Sequence, residues 1–145
     1  MKIVFCLYWP SRDSKSKLFK FSSTKNIFED YLKRISAHAP TQIMSQLPQD
    51  GEVWVCERVK KSQILSSEDL AEKLKQVLSS GQKTLTIVIG GADGFSEAEL
   101  KQLKPSLRWS FGTMTLPHEL AAVVAAEQMY RAFCILENHP YHCGH

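Results

Sequence analysis

The sequence runs to 145 residues, 43 % of them hydrophobic, with 18 Lys and Arg against 15 Asp and Glu and a formal net charge of +3. That length predicts a single domain, residues 1–145, able to bury roughly two-thirds of its unfolded surface. Such a mild positive excess does not by itself imply nucleic acid. No stretch reaches the roughly 18 apolar residues of a membrane helix, since the run Leu120–Ala126 stops at Glu127 and Gln128. The opening MKIVFCLYWP is too short for a secretory signal, so a soluble cytoplasmic protein is the expectation.

In chain order, Ile3–Tyr8 is a continuous apolar run, the pattern of a strand buried on both faces. Next comes a basic segment. Arg12, Lys15, Lys17, Lys20, Lys25, Lys33 and Arg34 outnumber Asp13, Glu29 and Asp30, which reads as a solvated surface unless a phosphate site lies nearby. From Thr24 the spacing of Ile27, Phe28, Tyr31, Leu32 and Ile35 predicts an amphipathic helix ended by Pro40. TQIMSQL suggests a short strand, PQDG a turn, and EVWVC at 52–56 a second strong strand.

Ser66 or Ser67 is placed to cap the next helix, with Glu68 and Asp69 in its first turn, Leu70, Leu74, Val77 and Leu78 as its buried face, and Gly81 as its stop. TLTIVIGG at 84–91 reads as a central strand. SEAELKQL then reads as a helix whose Ser96 and Glu99 form a capping box. SLRWSFGTMTLPHE is a short strand and loop, after which Pro117 opens a last helix reaching about Leu136. This alternation predicts an α/β domain with a parallel sheet flanked by helices.

Ligands of open α/β sheets bind beyond the carboxyl ends of the strands. Gly90, Gly91 and Gly94 follow the most strand-like run, so their bare backbone either admits a small molecule or makes a tight turn. GGADG is not the GxGxxG fingerprint of dinucleotide folds. Cys6, Cys56, Cys134 and Cys143 form no CxxC pair, and three lie in apolar stretches, which predicts buried reduced thiols. Glu127 and Arg131, taken by spacing alone, form an ordinary i,i+4 pair on a solvated face, worth a few tenths of a kcal/mol. His139, His142, Cys143 and His145 crowd the tail but match no standard zinc spacing, and no metal is expected.

IGGADGFS, followed by TLPHELAAVVAAEQMYRAF and then NHPYH, resembles the bacterial large-subunit ribosomal RNA methyltransferase H family, which methylates N3 of a pseudouridine in 23S rRNA. The likeness is close from about Leu70 to His142, with weaker echoes in FEDYLKRI and MKIVF. It implies a SPOUT α/β fold with a C-terminal trefoil knot, a homodimer, and S-adenosylmethionine held by three loops. On matching positions these are the end of the second strand at Cys56, the glycine loop at Gly91, and the stretch Gly112, Thr113, Met114, Thr115, Leu116 and Pro117. It also makes Arg131, Tyr141 and His142 the candidate catalytic and substrate-contacting residues, and the ribosome the partner. Backbone groups would meet the adenine edge while Met114 and Leu116 pack its faces.

The sequence departs from that family in four places. Trp9 and Pro10 replace a glycine-bearing loop, the span 36–52 is short, Cys56 and Glu57 stand in an LD position, and Cys143 replaces a basic residue. The leading expectation is an S-adenosylmethionine-dependent rRNA methyltransferase. A non-catalytic ribosome-binding paralogue that keeps the fold and the dimer face is the alternative, and a cofactor sensor is a third reading.

Overall fold

The computed structural model describes residues 1–9, 18–59, 62–91 and 94–143. Of the features singled out in the sequence, Pro10, Arg12, Asp13, Lys15, Lys17, Ala92, Asp93 and His145 lie outside them. Six parallel strands form one sheet: β1 (Lys2–Tyr8), β2 (Thr41–Met44), β3 (Glu52–Cys56), β4 (Gln63–Ile64), β5 (Thr84–Gly90) and β6 (Leu107–Ser110), in the order β2-β1-β5-β3-β6-β4. Among the described residues four helices accompany them: α1 (Ser22–Ile35), α2 (Ser67–Leu78), α3 (Glu97–Leu103) and α4 (His118–Leu136).

Alternation along the strands sorts side chains to two faces. Ile3, Phe5, Leu7, Trp54, Leu85, Ile87, Ile89, Leu107 and Trp109 bury one face under α1, α2 and α4. Cys6, Val53, Val55 and Val88 point to the other, where Leu103 of α3 covers them. Helix α4 packs against both α1 and α2 and so lies between them. Its small buried residues, Ala122, Ala125, Ala126 and Ala132, let it sit close to the sheet.

The caps follow the sequence. Ser66 caps α2 through the Asp69 N–H at 3.0 Å, and Ser96 and Glu99 form the expected box on α3. Elsewhere the apolar stripes were drawn too wide: Ile27 and Leu78, expected on buried faces, are among the exposed large hydrophobics, while Ala71 is buried instead. Pro117 lies at the N-cap of α4 rather than in its first turn, with an extended ψ of 145°. The strand β4 was not foreseen, because two exposed residues carry no periodicity. Among the described residues, no helix is long and apolar enough to cross a membrane.

Because every strand runs the same way, the carboxyl ends of β5, β3 and β6 emerge side by side. Cys56 is paired with Ile89 on one side and Trp109 on the other, and the Glu57 N–H donates to the Trp109 carbonyl at 2.9 Å. The sheet connection from β5 through α3 to β6 steps over β3, so the loops after these three strands face one another.

Candidate functional site

Those loops enclose a cavity of about 640 Å³, inside the roughly 300–1,000 Å³ range of small-molecule sites. Its described walls include Cys56, Glu57, Arg58 and Val59 after β3, Ile89, Gly90, Gly91, Gly94 and Phe95 after β5, and Phe111, Gly112, Met114, Thr115, Leu116 and Pro117 after β6. His118 and Ala121 of α4 close one side. Of the eight residues expected to hold a cofactor, seven line this cavity. Thr113 is the other, and its carbonyl instead accepts a 2.7 Å hydrogen bond from Arg58 Nη1.

The local backbone explains the openness. Gly112 has φ +110, a conformation side chains rarely adopt, and a Ser110 hydroxyl that bonds both its N–H and its carbonyl at 3.1 Å holds it there. Gly94 has φ +68. A Cβ on Gly90 would meet the Phe95 ring at 3.0 Å, and that ring stacks on Tyr8 with 5° between planes. A side chain on Gly90 would therefore press on the Phe95 ring at the floor of this loop.

Charge is placed on one wall. The Glu57 side chain is 5 % exposed and ion-paired to Arg108, and the pair pushes the Arg108 guanidinium further up. Burial, followed by the Glu57 charge, raises the Cys56 thiol, so that side chain is an inert neutral wall. Glu57, Arg58, Phe95, Phe111 and His118 line the cavity without having been selected from the sequence. Arg58 and His118 each fall just beyond a stretch that was selected, and only the closure of the loops brings them to the cavity.

Arg131, Tyr141 and His142 are brought together, but elsewhere. Glu127 Oε1 accepts from Arg131 Nε at 2.9 Å, from Nη2 at 2.7 Å and from the Tyr141 hydroxyl at 3.1 Å. Arg131 Nη1 lies 2.9 Å from His142 Nδ1, and His142 Nε2 lies 2.8 Å from Glu68 Oε1. Tyr141 also meets the Tyr31 hydroxyl at 3.2 Å, and burial raises its phenol above the usual value.

This corrects the reading of Glu127 and Arg131 as a solvated surface pair: their side chains are 19 % and 17 % exposed. The tail residues cover them, which intrahelical spacing cannot reveal. Within the chain the cluster stands apart from the cavity. Arg131 is about 20 Å further along α4 than His118, at roughly 1.5 Å per residue.

The tail forms no metal site among the described residues, where no three His, Cys, Asp or Glu side chains converge. His139 instead accepts the Tyr141 N–H at 3.2 Å, and the Cys143 thiol contacts the Pro140 carbonyl.

The family model described as Predicted SPOUT methyltransferase matches residues 17–142. The chain belongs to the SPOUT methyltransferase family. Among its relatives, the ribosomal RNA large subunit methyltransferase H of Psychrobacter cryohalolentis is 45 % identical over 93 residues, 64 % of this chain and 54 % of that protein. The enzyme of the same name from Coxiella burnetii is 34 % identical over 131 residues, 90 % of this chain and 81 % of that protein. The chain thus spans about half the length of the first relatives it matches. In three dimensions it is similar to a probable methylase family protein from Haemophilus influenzae, with a TM-score of 0.51 over 97 % of this chain and 67 % of that one, at 12 % identity. That likeness is one of fold, and it agrees with the parallel sheet and its flanking helices.

Proposed function

We propose that this SPOUT protein is an S-adenosylmethionine-dependent rRNA methyltransferase that methylates N3 of a pseudouridine in 23S rRNA of the large ribosomal subunit. The observation that carries the proposal is the cavity at the joined carboxyl ends of β3, β5 and β6. Its make-up fits the cofactor. Ile89, Phe95, Met114 and Leu116 offer apolar surface for an adenine, and the glycine backbones leave room for polar edges. Cys56, Gly91, Gly112, Met114, Thr115, Leu116 and Pro117 would hold the cofactor, with Thr113 shaping the loop from behind. S-adenosylmethionine supplies an activated methyl group, which leaves the protein to orient the acceptor and exclude water.

On this reading the segment from β6 into α4 is threaded as the family's trefoil knot, and the protein works in the cytoplasm as a homodimer. A second copy is the way to bring Arg131, Tyr141 and His142 to a cavity that lies about 20 Å away along α4. There Tyr141 would stack on a base and the cations would hold phosphates. The test is transfer of a labelled methyl group to large ribosomal subunits from cells lacking the modification, with the product nucleoside mapped. Transfer to a pseudouridine supports the proposal; cofactor-free binding to ribosomes with no transfer supports the non-catalytic paralogue instead.

A further inference from the structure

We propose that His118 is a catalytic residue of this site, its imidazole accepting the proton of the N–H to be methylated, and that Trp9 is the positioning residue that holds this ring on the cavity wall. The inference rests on the methyltransferase reading of the cavity and adds to it the group that takes the proton.

The cavity's other described ionisable groups are committed elsewhere. Glu57 is paired with Arg108, Arg58 donates to the Thr113 carbonyl at 2.7 Å, and the Cys56 thiol is raised by burial. His118 lines the cavity, and no described residue hydrogen-bonds either of its ring nitrogens. Its partner is instead the Trp9 ring, tilted against it with ring centroids 4.5 Å apart and 39° between planes.

That indole is itself anchored. Its N–H donates to the Leu18 carbonyl at 2.7 Å, and its edge meets Phe19, which packs on Phe28, which packs on Phe5 of β1. A continuous line of rings therefore runs from the sheet core to His118. The following residue fixes the start of α4: Glu119 is buried, and its carboxylate accepts the Thr24 hydroxyl at 2.9 Å and the Phe21 N–H at 3.3 Å. The imidazole thus stands on a rigid base with both nitrogens available to a ligand.

An imide N–H is weakly acidic and is a poor nucleophile until its proton leaves. The N–H bond breaks, its electron pair stays on the nitrogen, and the proton passes to the unprotonated nitrogen of His118 and then to water. Bound S-adenosylmethionine supplies the methyl, the new N–C bond forming as the C–S bond breaks and leaves its electron pair on sulfur. Imidazole suits this task because it is the side chain that exchanges protons near neutrality.

The experiment compares full-length wild type, His118→Asn and Trp9→Phe by calorimetric titration with S-adenosylmethionine and by methyl transfer to large ribosomal subunits across pH. His118→Asn is expected to bind the cofactor within about threefold of wild type, to lose about 100-fold or more in kcat, and to keep gaining rate with pH beyond the wild-type plateau. Added imidazole is expected to restore part of the rate of His118→Ala. Trp9→Phe, which loses the hold on Leu18, is expected to lower kcat while binding the cofactor normally.

A His118→Asn enzyme with wild-type kcat and plateau overturns the catalytic role, as does a loss of transfer that merely follows loss of cofactor binding. Unchanged kcat in Trp9→Phe overturns the positioning role. A wild-type protein that binds no cofactor overturns the methyltransferase reading itself and the inference with it.

Discussion

His142 Nε2 stands 2.8 Å from Glu68 Oε1, joining the tail to the first turn of α2 across a sequence separation of 74 residues. On its other side the ring faces Arg131, and a guanidinium can only donate. Nδ1 is therefore the acceptor and Nε2 carries the proton given to Glu68. The same bond is the first cause that holds the Glu68 carboxyl below the usual carboxylate value.

A pH dependence follows with a definite sign. A carboxyl depressed in the folded state contributes fully above its ordinary value, and the contribution is lost as pH falls through the folded value. The tail should therefore be held against α2 at neutral pH and released below the ordinary carboxylate range, read as a fall in the protection factor of the Tyr141 amide, which donates to His139, after correction for the intrinsic pH dependence of exchange. Glu68→Ala should show the low protection factor at every pH.

Gly112→Ala tests the loop after β6. Its added methyl would meet nothing within 4 Å, so the cost is backbone strain alone at φ +110. A loss of about 1–3 kcal/mol in stability is expected. Cofactor affinity should fall with it, because the loop relaxes away from the cavity; thermal unfolding and calorimetry would measure the two effects.

Arg58→Ala removes the bond to the Thr113 carbonyl without touching the core. Loss of one exposed, charge-assisted hydrogen bond is expected to weaken cofactor binding by about fivefold, roughly 1 kcal/mol. Stability should stay nearly unchanged, and Arg58→Lys should recover only part of the affinity, since it lacks the guanidinium's reach and fork.

The thiols should separate by reactivity. Burial lifts the Cys6 thiol to about 12 and raises Cys56 and Cys134 as well, so their thiolates are scarce at neutral pH. Cys143 is exposed. Alkylation of the folded protein at neutral pH should modify Cys143 alone, and denaturation should expose all four, as counted by mass spectrometry.

Much of the fold was legible because the signals were local. The apolar runs Ile3–Tyr8 and 84–91 became β1 and β5, and Ser96 with Glu99 closed the helix start they predicted. Periodicity misplaced Ile27 and Leu78, because a 3.6-residue stripe gives the direction of a helix face but not how much of it a neighbour covers. Parallel topology singled out the glycine loop after the 84–91 strand, while Cys56 and the stretch Gly112 to Pro117 were chosen through the family resemblance. The contacts of Glu68 with His142 and of Trp9 with His118 bridge distant parts of the chain, and no spacing in the sequence encodes them. Glu127 and Arg131 were misread as solvated for the same reason: the tail that covers them carries no pattern of its own.

The most direct test of the account is a calorimetric titration of the full chain with S-adenosylmethionine, in parallel for wild type and Gly112→Ala. Saturable binding at one site per chain, weakened in the variant, is the predicted result. A folded wild-type protein that gives no binding heat and no protection from thermal unfolding at saturating S-adenosylmethionine would contradict it, and the loops after β3, β5 and β6 would then enclose a cavity for something else.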